Sequence, residues 1–93
     1  MDPILAEAIE RSRRGDTAAF GAVVEALGPA IVRFVASILG GDVHAAHDVA
    51  QDTFLAAWKA LPRLDQPHHL KPWCFQVAYH HAISWIRRRG PSA

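Results

Sequence analysis

Apolar residues recur at steps of three and four along most of this chain, and the breaks between the runs predict an all-α fold. Asp2-Pro3 opens a first helix, with Asp as cap and Pro at the first helical position. Its stripe is Ile4, Leu5, Ala8 and Ile9, and Gly15 ends it as a left-handed cap. Asp16 caps a second helix with the stripe Phe20, Val23, Val24, Leu27, Ile31, Phe34, Val35 and Ile38. Gly28-Pro29 interrupts that stripe. Proline removes a backbone donor and crowds the preceding turn, so a kink or a break is expected there. Gly40-Gly41 closes the segment.

Asp42 caps a third helix running to about Leu61. Its buried stripe should be Ala46, Ala50, Thr53, Phe54, Ala57, Trp58 and Leu61, small enough in places for another helix to approach closely. The opposite stripe is His44, His47, Asp48, Gln51, Asp52, Leu55 and Lys59. Leu55 is an apolar residue inside a polar face, which points to a contact surface. Pro62 ends this helix, and residues 62–69 form a loop with two prolines and two histidines. A fourth helix begins near Leu70 or Pro72 and runs to Arg89. Trp73, Phe75, Tyr79 and Trp85 spread round it, more aromatic surface than one buried stripe requires. The expectation is a single domain over residues 1–93, a compact bundle of four to five helices. Gly90-Pro91-Ser92-Ala93 reads as the start of a linker.

Composition narrows the function classes. Half the residues are hydrophobic (51%) and a fifth are charged (20%), which suits a packed domain and not a disordered one. The net charge of +1 gives no global attraction to polyanions, but its distribution is uneven. Arg87, Arg88 and Arg89 form a basic end, Arg11, Arg13 and Arg14 a second cluster, and Asp42, Asp48 and Asp52 an acidic region. Two different partners could meet two such surfaces. A single cysteine, Cys74, rules out an internal disulfide and favours a reducing compartment. No signal peptide is read at the N-terminus, and no apolar run approaches the ~20 residues that span a bilayer. These features point to a cytoplasmic protein without a membrane partner.

Three blocks carry a resemblance. They are Gly15-Asp16 with Ala19-Phe20, the run Asp48-Val49-Ala50-Gln51-Asp52-Thr53-Phe54-Leu55 ending on Trp58, and the run Lys71-Pro72-Trp73-Cys74-Phe75-Gln76-Val77-Ala78 ending on Trp85-Ile86-Arg87-Arg88-Arg89. In order and spacing the chain resembles region 2 of the extracytoplasmic-function (ECF) sigma factors of the sigma-70 family. The second block is the most specific. The resemblance implies a non-enzymatic role in transcription initiation and no cofactor. The third helix would bind the coiled coil of the RNA polymerase β′ subunit through Asp48, Gln51, Asp52, Leu55 and Lys59. The loop and fourth helix would hold the non-template single strand of the promoter −10 element through Leu64, His68, His69, Lys71, Trp73, Gln76, Val77, His80, Ser84, Arg87 and Arg88. Leu64 and Val77 would wall a pocket for a flipped base, with His80 as its polar reader. An anti-sigma factor covering the same surfaces is a further implied partner.

Physical chemistry supports this independently. A stripe of carboxylates and amides round one apolar residue suits a basic partner helix. Asp48 and Asp52 stand one turn apart and point the same way. Cations mixed with aromatics hold single strands by neutralising phosphates and stacking bases. The chain departs from the family at His47, where Glu is usual, and at His80 and Ser84, where Asn and Asp are usual. Cys74 replaces a usual Leu, and region 4, which reads the −35 element, is absent from this chain.

Other readings are weaker. His44, His47 and Asp48 have a spacing that could hold a metal, but a zinc site needs three or four ligands, and the pairs His68-His69 and His80-His81 cannot converge on one helical site, so no metal site is assigned. Cys74 reads as buried packing, Trp58 and Trp85 as core, and Trp73 as either packing or a wedge in DNA. No nucleophile elbow, phosphate-cradling glycine loop or paired carboxylate site is found. The alternative functions are a module that binds polymerase or an anti-sigma factor without productive DNA recognition, and a metal-dependent helical enzyme.

Overall fold

The three aspartates expected to start helices do so through their side chains. In the computed structural model, which describes residues 2–89, Asp2 accepts from the Ile4 N–H at 3.0 Å and opens α1 (Pro3–Arg13). Asp16 accepts from the Ala19 N–H at 3.0 Å and opens α2 (Thr17–Ile38). Asp42 accepts from the Ala45 N–H at 3.0 Å and opens α3 (Val43–Ala60). Each cap satisfies a donor with no partner inside the helix, a contribution of about 1 kcal/mol. Two short 3-10 turns, Leu61–Arg63 and Pro67–His69, lead into α4 (Leu70–Arg89). The linker reading at Gly90–Ala93 lies outside the described residues.

The helix ends follow from backbone freedom. Gly15 (φ 98°), Gly40 (φ 68°) and Gly41 (φ 91°) adopt the left-handed region that a side chain would strain. The Gly41 N–H then reaches back to the Ala36 carbonyl at 2.8 Å, tying off the last turn of α2. Asp16 has a second role. Its other carboxylate oxygen accepts from Arg11 Nε (3.1 Å) and Nη2 (2.8 Å), so α1 and α2 are clamped across the turn. The Ala19 amide and the Arg11 guanidinium hold this carboxyl below its ordinary range.

α2 is the spine: it packs against α1, α3 and α4, and α3 also packs against α4. Val23, Leu27, Ile31 and Val35 present a buried row at steps of four. Small residues on the facing helices, Ala46, Ala50 and Ala57 of α3 with Cys74, Ala78 and Ala82 of α4, let the backbones close in on that row. Ile9 of α1, with Leu61 and Leu70 from either side of the loop, seals the end. The two buried hydroxyls bond within their own helices, Ser12 to the Ala8 carbonyl (2.6 Å) and Thr53 to the Val49 carbonyl (2.9 Å).

One open alternative is settled, and three expectations need correction. Pro29 does not break α2, which runs unbroken from Thr17 to Ile38, so the bundle has four α-helices. Leu27, Ile31 and Val35, buried on either side, hold the helix through the proline, whose nitrogen has no hydrogen to donate to the Glu25 carbonyl one turn back. Trp58 is not core. It is half-buried and tilts against Phe20, with ring centroids 5.1 Å apart. Finally, α2 has the length and mean hydropathy (1.6) of a membrane span, although Glu25 and Arg33 interrupt its apolar run. In this fold Val23, Leu27, Ile31 and Val35 of that run are buried against the other three helices, while Phe20, Val24 and Val32 stay half-buried. Ile4, expected in the α1 stripe, is 80% exposed.

Candidate nucleic-acid and partner interface

The polar stripe of α3 is exposed from His44 to Lys59, but it does not form one uniform surface. Asp48, Gln51 and Leu55 stand on the rim of an open groove of about 910 Å³ between α2 and α3. Its walls are Phe20, Val24 and Val32 of α2, with Phe54 and Trp58 of α3. Leu55 is 56% exposed, an outlay of apolar surface that a solvated face does not need. Asp52 turns the other way. With Val49 it borders a cleft of about 200 Å³ shared with His81, Ser84 and Arg88 of α4. Lys59 lies apart from both, in a depression with Arg13, Arg14 and Pro62.

The α2 wall of the groove was not anticipated from sequence. The periodicity places Phe20 and Val24 in the core stripe and gives no sign of which edge of a wide stripe stays open. Gly28-Pro29 was the available signal, since both residues line the groove. His47 borders the groove and His81 the cleft, both outside the two predicted residue sets.

The second predicted surface is largely continuous. Trp73, Gln76, Val77, His80, Ser84 and Arg87 recur at steps of three and four and share one side of α4, with Arg88 at its edge. Trp73 and Val77 are half-buried and the others exposed. Lys71 is exposed but falls off that register, at the helix start. Leu64 packs against the core, and His68 and His69 lie exposed with ring centroids 4.2 Å apart. The turn holding these histidines packs on both α1 and α4, which fixes the loop relative to the helix.

Charge separates the two surfaces. α4 carries no acidic residue in its 20 positions, while Lys71 and Arg87–Arg89 are cationic. Among the described residues, Arg87 and Arg88 have no carboxylate within ion-pair distance. Arg89 is engaged: its guanidinium lies 4.7 Å from the Trp85 ring centroid and 4.0 Å from Asp42. The α1 arginines are also occupied, Arg11 by Asp16, and Arg13 and Arg14 by Glu10 (3.5 and 3.7 Å). These arginines serve the end of α1, where cations suit the helix dipole. Among the described residues no three His, Cys, Asp or Glu side chains converge on a metal-sized site. Cys74 is fully buried, and burial pushes its thiol up to about 12.

Comparison with known proteins adds what geometry alone does not. Residues 23–91 match the family described as Sigma-70 region 2. The chain is 32% identical over 87 residues to the probable RNA polymerase sigma factor RfaY of Xanthomonas campestris pv. campestris, covering 94% of this chain and 22% of that protein. It is 38% identical over 77 residues to the RNA polymerase sigma factor NccH of Alcaligenes xylosoxydans xylosoxydans (82% and 41% covered). To the ECF RNA polymerase sigma factor SigW of Bacillus subtilis it is 28% identical over 91 residues (98% and 48%). The chain thus spans less than half the length of each of these relatives. No solved structure matches it at a significant level. A helical bundle with this motif order, matched over three quarters of its length, places the chain in the sigma-70 region 2 family of transcription initiation factors, alongside the ECF type.

Proposed function

We propose that this domain docks on the β′ coiled coil of core RNA polymerase in the cytoplasm and melts the promoter −10 element by capturing a flipped non-template base. The observation that carries this reading is the juxtaposition of two unlike surfaces on adjoining helices. α3 offers the Asp48 carboxylate, the Gln51 amide and the exposed Leu55 beside an apolar groove, with Asp52 on the adjoining cleft. α4 offers cations and aromatics with no acid. A basic amphipathic helix complements the first. A single strand complements the second, since stacking contributes about 1–3 kcal/mol per base and extrusion costs a few. In this reading Leu64 and Val77 flank the captured base and His80 reads its edge. His80 can donate and accept, but in a geometry unlike that of the family's usual Asn. An anti-sigma factor would act by covering the same two surfaces.

The test is capture of core RNA polymerase by the wild-type chain beside Asp52→Arg, followed by binding of a fluorescent −10 single strand to the captured complex. Loss of capture with unchanged helical circular dichroism supports the docking face. Weaker strand binding by Arg87→Ala supports the DNA face, and equal capture by wild type and Asp52→Arg counts against the docking assignment. The replacements at His80 and Ser84 favour one second reading, a module that binds polymerase or an anti-sigma factor without productive DNA recognition. Polymerase capture with no preference between the two promoter strands would establish it.

A further inference from the structure

α4 carries four aromatic side chains besides its histidines, and the fold accounts for three. Trp73, Phe75 and Trp85 pack against the core, Phe75 edge-on to Phe34 at 5.1 Å and Trp85 beneath Arg89. Tyr79 does not. It is 47% exposed and has no place in the apolar cluster. Its ring instead stands 5.7 Å from that of His80, at 70°. The pair is tilted, so the two rings do not cover each other's faces. A half-exposed tyrosine is thus aromatic surface beside a candidate base reader.

We infer that Tyr79 is a second stacking platform, taking a single-stranded base next to the one His80 reads. The inference rests on the DNA-binding reading of α4 and extends it to a residue outside the predicted face. Two observations select a nucleic-acid occupant. The helix that bears Tyr79 has four cations and no acid, so its surface attracts a polyanion. The 5.7 Å between the rings also puts Tyr79 within reach of a base adjacent to the one at His80. Every base has a π face, so this platform adds affinity and strand capture with little sequence preference.

The experiment measures binding of a fluorescein-labelled oligothymidylate of about 12 nucleotides to the chain assembled on core polymerase, with core polymerase alone as the baseline. Tyr79→Ala should weaken binding by roughly 5- to 100-fold. Tyr79→Phe, which keeps the ring, should stay within about twofold of wild type. Both should capture polymerase as wild type does. Unchanged binding by Tyr79→Ala, with Arg87→Ala still weakened, overturns the platform and leaves the DNA reading standing. If Arg87→Ala is also unchanged, or wild type adds no binding over core polymerase, both fall. If Tyr79→Phe is as weak as Tyr79→Ala, the hydroxyl and not the ring matters, and the platform is wrong. Loss of polymerase capture by Tyr79→Ala would make the patch a protein contact and overturn the inference.

Discussion

Cys74 shows how one side chain's chemistry is set by its position. The sequence places it on the apolar side of α4 with Ala78, and the fold buries both completely. Desolvation penalises the thiolate and lifts the pKa from an ordinary 9.0 to about 12. Thiolate is the reactive form, so Cys74 in the folded chain should react with an aromatic disulfide reagent on the order of a thousandfold more slowly than in denaturant. Comparable rates at pH 8 in buffer and in denaturant would contradict this burial. Residue identity also made the three aspartate caps legible, because a carboxylate before an apolar-periodic run has one evident structural use. Trp58 was misread for the opposite reason. A large aromatic in register with a buried stripe is expected to be core, yet its register also fits the edge of the stripe. There it meets Phe20 and borders the groove.

At the scale of the element, α2 is instructive. Of the two outcomes Pro29 left open, a kink or a break, the break does not occur, because tertiary packing outweighs local propensity. The local cost remains. Pro29→Ala should restore the bond to the Glu25 carbonyl and relieve the ring's crowding of that turn. The expected gain is about 2 kcal/mol, after allowing for the freer unfolded chain, or a thermal midpoint higher by about 10 °C. An unchanged midpoint in a calorimetric scan would show that α2 carries no such strain. Gly28 is adjacent, and a methyl built there meets nothing within 4 Å, so the groove side of this turn is open space.

At the scale of the whole molecule, the seam between α3 and α4 changes how a docking variant should be read. Asp52 opens on the cleft with Ser84 and Arg88, so Asp52→Arg sets a second cation beside the proposed DNA surface and could disturb both functions. Leu55 faces the groove and touches only the docking side. Leu55→Ala should therefore lower polymerase affinity about tenfold, the scale of an exposed apolar anchor, while leaving strand binding by the captured complex unchanged. A parallel loss of both in a binding titration would mean that the two surfaces are not separable along this seam.

The sequence by itself determined the helices, their caps, most of the core and the family, because these depend on periodicity, on local hydrogen bonding and on motif order. It also identified the charged residues of α3 and α4 that stay in water, since a charged side chain seldom has any other place. What only the tertiary structure decided is how faces on different helices combine. α2 leaves Phe20 and Val24 open to face Leu55, and α4 brings Ser84 and Arg88 to Asp52. It also decided that Tyr79, alone of the α4 aromatics, stays outside the core. Each of these is a relation between surfaces set by the rotation of one helix against another, and helical periodicity describes a single helix at a time.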